Sequence, residues 1–69
     1  MSRRVTVAVV PSSRVRVMQK APIGYNLMRD FISEDGDVVL DLGHGEYRLF
    51  VTYEQYGEKI TESITLRIS

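Results

Sequence analysis

Between Val38 and Tyr53 apolar side chains recur at every second position, in two successive runs separated by a pair of glycines. Val38, Leu40 and Leu42 alternate with Val39 and Asp41; Gly43-His44-Gly45 follows; then Tyr47, Leu49, Val51 and Tyr53 alternate with Arg48, Phe50 and Thr52. A two-residue period gathers one set of side chains on a single face of an extended chain, so this span predicts two half-buried strands meeting at a corner. Just upstream, Ser33-Glu34-Asp35-Gly36-Asp37 carries hairpin chemistry, with a glycine free to take the positive φ that tight turns need. The stretch from Ile32 to Tyr56 therefore organises the rest of the chain. It speaks to architecture far more than to activity.

The flanking segments carry the same period. Val5, Val7 and Val9 alternate with Thr6 and Ala8 until Pro11, which lacks the N–H a sheet ladder requires. After Ser12-Ser13, Val15 and Val17 alternate with Arg14 and Arg16, giving a strand with a basic outer face. Lys20-Ala21-Pro22-Ile23-Gly24 interrupts the pattern. Tyr25 to Ile32 is ambiguous, because Leu27 with Phe31 and Met28 with Ile32 are spaced like one side of a helix; its neighbours are strands, and a short irregular strand is the preferred reading. The last run places Ile60, Ile64, Leu66 and Ile68 inward and Thr61, Ser63, Thr65 and Arg67 outward. Glu62 interrupts its inward row, which predicts a bulge or an edge position. Six short strands at this spacing predict one small all-β domain over residues 1–69, a sandwich or a barrel.

Glu34-Asp35-Gly36 leading into Val38 to Leu42, then Gly45-Glu46-Tyr47, then Tyr56-Gly57 form a recognisable series. It resembles the carboxypeptidase regulatory-like and transthyretin-like domains, a family of immunoglobulin-like (prealbumin-like) β-sandwiches. The resemblance implies an antiparallel sandwich of about six strands here, with Val15 to Lys20 as the preceding core strand, and an accessory module without an activity of its own. The physical content of the motif stands without the family. Gly45 lets the backbone swing between sheets, while Tyr47 packs its ring inward and offers its hydroxyl to a backbone group of the corner. The chain lacks room for the usual seven full strands, so the second sheet is expected to need cover from a partner.

Size points the same way. A chain of 69 residues buries only roughly 60% of the surface its unfolded form exposes, and small domains usually compensate with disulfides, a metal or a partner subunit. With no cysteine and one histidine, self-association or a protein partner is the expectation. The absence of cysteine fits a reducing compartment. The apolar run Val5 to Val10 is shorter than a signal-peptide core with its cleavage site and far shorter than a membrane span. The reading is a protein of cytoplasmic origin, complete from its own initiator methionine, with no membrane partner.

The formal net charge of zero conceals an asymmetry. Through Arg29 every charged side chain is basic (Arg3, Arg4, Arg14, Arg16, Lys20, Arg29), a net +6; from Asp30 onward nine acids face Arg48, Lys59 and Arg67, a net −6. A nucleic-acid-binding arm would look like this. So would basic strands lying beside acidic ones in a small antiparallel sheet, within one molecule or between neighbours, and that is the preferred reading.

No catalytic constellation is visible. His44 is the sole imidazole, set between glycines, with no cysteine and no motif-placed serine nucleophile beside it, and reads as a surface loop histidine. Glu34, Asp35 and Asp37 lack the spaced carboxylates of a calcium loop, and Asp-Gly is already accounted for as a turn. Tyr25, Tyr53 and Tyr56 are candidates for a surface on which sugar or single-stranded nucleic acid stacks; the alternative has Tyr53 in the core and the other two capping its rim. Accordingly no catalytic, cofactor-binding or metal-ligating residue is nominated. The expectation is a non-catalytic structural or interaction module within a larger protein assembly, such as a bacteriophage virion accessory or decoration protein. The alternative is a small β-barrel binding nucleic acid or carbohydrate through its tyrosine-bearing and basic strands, with Arg3, Arg4, Arg14, Arg16 and Lys20 on the phosphates.

Overall fold

A computed structural model describes residues 2–69. Six strands follow one another: β1 (Arg3–Ala8), β2 (Ser13–Lys20), β3 (Tyr25–Ser33), β4 (Asp37–Leu42), β5 (Gly45–Gln55) and β6 (Glu58–Ile68). All pairings are antiparallel, and they form two sheets, a pair β1-β4 and a four-stranded sheet in the order β3-β2-β5-β6. The sheets do not join into a closed barrel, so the barrel alternative falls.

The core lies between the two layers. Val15 and Val17 of β2, Val38, Leu40 and Leu42 of β4, and Tyr47 and Leu49 of β5 are all buried, with Ile68 of β6 at one end. They are the every-second-residue positions the sequence marks, and the intervening residues face out. Two buried serines tie the layers together where the chain changes sheets. Ser13 Oγ donates to the Val10 carbonyl, and Ser33 Oγ donates to the Asp37 carbonyl at 2.8 Å. Among the described residues no buried side-chain polar atom lacks a partner, as a small core requires.

The corner between β4 and β5 carries the chain from the small sheet to the large one. Gly45 there has φ +147°, and two residues on the Tyr47 ring is 2% exposed, with its hydroxyl donating to the Gly43 carbonyl at 2.9 Å. A buried phenol must find an acceptor, and a corner carbonyl with no ladder partner supplies it. At the β3–β4 turn the constraint falls on Gly36, at φ +86°. Its carbonyl accepts from Val9 N–H at 2.8 Å, and a Cβ on it would lie 2.5 Å from the Val9 carbonyl oxygen.

Two local expectations are refined. Tyr25–Ser33 is a nine-residue strand, and its irregularity is a register shift: Val17 pairs with Arg29 and Met18 with Leu27, which leaves Met28 as the extra residue. Leu27 and Ile32 are more than half exposed, so the helix-like spacing of this segment marks no buried side. Glu62 sits in no bulge, because β5 and β6 pair without interruption over eleven positions. It is tolerated because β6 is an edge strand and the Tyr53 hydroxyl donates to its carboxylate.

Two substitutions test this account. Tyr47→Phe removes one hydrogen bond and strands the Gly43 carbonyl, and is expected to cost about 1–2 kcal/mol in a urea unfolding titration. Gly36→Ala meets both the left-handed backbone penalty, about 1–2 kcal/mol, and the contact with Val9, so it should destabilise more than Tyr47→Phe; equal stability to the parent chain would refute the turn geometry.

Candidate interaction surfaces

The outward face of the large sheet brings the two charged halves of the chain together. Arg14 and Arg16 of β2 face Asp30 of β3, since the pairing register sets Arg16 opposite Asp30 and Arg14 one step along. The Arg14 guanidinium donates to both Asp30 oxygens, at 2.9 and 2.7 Å, and Arg16 lies 3.9 Å away. At the opposite end of the sheet Glu46 of β5 gathers Arg67 of β6 at 3.1 Å, Lys20 of β2 at 4.0 Å and the Tyr25 hydroxyl at 3.2 Å. On the small sheet Arg4 of β1 reaches Asp41 of β4 at 3.6 Å, as their direct pairing requires. Four of the five basic residues considered for phosphate binding thus sit against carboxylates.

Those five residues do not share a surface either. Arg14, Arg16 and Lys20 lie on the outer face of the large sheet, while Arg3 and Arg4 belong to the small sheet on the other side. The tyrosines are likewise divided. Tyr25 lies at the start of β3, with the Arg48 guanidinium 5.1 Å from its ring centre. Tyr53 and Tyr56 lie at the far end, where Tyr53 is half-buried against Glu62 and Tyr56 is 96% exposed in the β5–β6 turn. No single stacking platform results.

The remaining candidates are placed as follows. His44 is exposed in the corner between β4 and β5. Asp35 Oδ1 accepts from the Asp37 N–H at 3.0 Å, so this carboxylate closes its own turn. Among the described residues no three of His, Cys, Asp and Glu converge as metal ligands would. A broad, open concavity of about 600 Å³ lies between Pro11, Arg14, Ile32, Tyr53, Lys59 and Thr61.

What the sequence pattern left unseen is apolar. Ile32 is 63% exposed and Leu27 51% on β3, Val39 51% on β4, and Ile23 projects from the β2–β3 turn. A second recess of about 300 Å³ opens between Val9 and Val10, just past β1, and Val51, Tyr53, Glu62 and Ile64 of the large sheet. Alternation marks which residues face inward; it does not say how far each sheet extends over the other.

Compared with protein families, curated proteins and solved structures, the chain matches none.

The ion pairs make a pH prediction. The hydrogen bonds from Arg14 hold the Asp30 carboxyl below its ordinary value of 3.8, against some opposing desolvation. For Glu46, desolvation pushes upward, but the Tyr25 hydroxyl, Lys20 and Arg67 together bring it below its ordinary 4.5. A carboxylate with a depressed folded-state pKa adds stability above its unfolded pKa and loses it as pH falls through the folded value. Stability should therefore be flat from pH 7 down to about 5 and decline below about 4.5. Asp30→Asn should flatten part of that decline, read as melting temperature against pH; an unchanged acid slope would refute the contribution of this pair.

Proposed function

We propose that the chain is a non-catalytic structural or interaction module, an immunoglobulin-like (prealbumin-like) β-sandwich used as a building block in a larger protein assembly. The observation that carries this reading is the unequal size of the two sheets. Two strands cover four, so Val5 and Val7 of β1, Val9 just past it, and Ile64 and Leu66 of β6 pack on the core yet stay half-exposed. Strand edges with unpaired backbone groups beside partly covered apolar side chains are a template for another chain. The charged side chains support the same reading, because Asp30, Asp41 and Glu46 are engaged with neighbouring strands rather than poised around a cleft. Within this class, a virion accessory or decoration protein fits a small, cysteine-free subunit that gains stability from its neighbours.

The test is sedimentation from the producing cells. A tagged copy should travel in a density gradient with a particle many times heavier than the chain and cross-link there to a second protein. Recovery only as a small species, with no cross-linked protein, would overturn the assembly role.

A further inference from the structure

Cations outnumber carboxylates two to one on the outward face of the large sheet. The residues that alternate with the inward positions of its strands point away from the small sheet, and among the described residues no third layer lies over them. Arg14, Arg16, Lys20, Arg48, Lys59 and Arg67 stand there with Asp30, Glu46 and Glu54, six cations to three carboxylates. That face is therefore +3 and, because the formal net charge is zero, the rest of the chain is −3.

Pairing within the sheet leaves the excess in place. Asp30 serves both Arg14 and Arg16, and Glu46 serves both Lys20 and Arg67. Among the described residues neither Lys59 nor Arg48 joins an ion pair; Arg48 lies over the Tyr25 ring instead.

We infer that this face is an interaction surface for an acidic segment of a partner protein, lying across β2, β5 and β6 with its carboxylates toward Arg16 and Lys59. The inference rests on the assembly reading above and names the chemistry of the partner's contact.

The broad concavity is where the under-neutralised cations come together. Arg14 and Arg16 of β2 line one side and Lys59 of β6 the other, with Thr52 and Thr61 between them. The two threonine hydroxyls lie 3.1 Å apart, so one donates to the other and the second keeps its proton for an arriving oxygen. Ile32, 63% exposed, and Pro11 add an apolar border. Cations, a spare hydroxyl donor and an apolar rim together suit a peptide that carries carboxylates among other side chains.

Two features favour protein over nucleic acid. Single strands gain affinity by stacking their bases on aromatic rings, but here Arg48 occupies the Tyr25 ring and Phe50 is half-buried between Arg16 and Ser63. A phosphate chain also bears a charge at every unit and would meet Asp30, Glu46 and Glu54 along its length. An extended peptide can place a carboxylate at every second residue, a step of about 6.6 Å. The same step separates Arg14 from Arg16 along β2.

The test is fluorescence anisotropy with a labelled ten-residue peptide of alternating Glu and Ser, about 33 Å long when extended. The wild-type chain should bind it with a dissociation constant on the order of 100 µM at low salt and release it at about 0.5 M salt. Arg16→Gln combined with Lys59→Gln should weaken binding about tenfold. Arg3→Gln combined with Arg4→Gln makes the same change in net charge on the small sheet and should leave affinity unchanged. If circular dichroism shows the first pair to be misfolded, Thr61→Glu, which sets a carboxylate in the concavity and removes no ion-pair partner, should weaken binding in its place. No binding at low salt, equal weakening by the two double variants, or tighter binding of a thymidylate hexamer of equal charge would each overturn the inference, the last giving the face to nucleic acid. A chain that binds the peptide yet never enters a heavy particle in cells would sink the assembly role and leave this face standing. Entry of the Arg16→Gln, Lys59→Gln variant into the particle at the wild-type level would do the reverse.

Discussion

The fold depends on the crossing at Gly43-His44-Gly45. There the chain finishes β4 of the small sheet and starts β5, a central strand of the large one, so the two layers are held together by a few residues of irregular backbone. The Tyr47 ring fills the space beneath the crossing, and its hydroxyl satisfies the Gly43 carbonyl, whose own strand has ended. One side chain thus meets both demands of a corner, apolar volume and a partner for an orphaned acceptor. The serines at the opposite end play the polar part of the same role, each bonding a backbone carbonyl where the chain passes between sheets.

The charge asymmetry of the sequence is resolved by pairing. Because β2 lies between β3 and β5, its basic outer face comes beside Asp30 on one side and Glu46 on the other. These pairs are exposed, and exposed pairs typically contribute less than about 1 kcal/mol each. Their larger effect is on specificity: sliding β2 against β3 would set Arg14 and Arg16 away from Asp30. The same residues that resemble a phosphate-binding arm in one dimension are, in three, the means by which adjacent strands recognise each other.

Unequal sheets leave the molecule with an inside and a flank. Covering four strands with two buries the middle of the large sheet completely and its β6 border only in part, and the half-exposed aliphatic rows are continuous with the core rather than isolated on the surface.

Much of this was legible from residue order. Alternation identified the inward residues of β2, β4, β5 and most of β6; turn chemistry placed Gly36 and the Gly43-His44-Gly45 corner; and Tyr47 was recognisable as a buried tyrosine with a hydroxyl to satisfy. These are consequences of local stereochemistry, since a strand's facing and a turn's φ are set within a few residues. The tertiary structure alone decided that β1 pairs with β4 rather than β2, that β3 carries its extra residue at Met28, that basic strands meet acidic ones within one molecule, and that the inward rows of β1 and β6 stay half-exposed. Each of these depends on which distant segments come together and on how far one sheet overlaps the other, quantities that no two-residue period encodes.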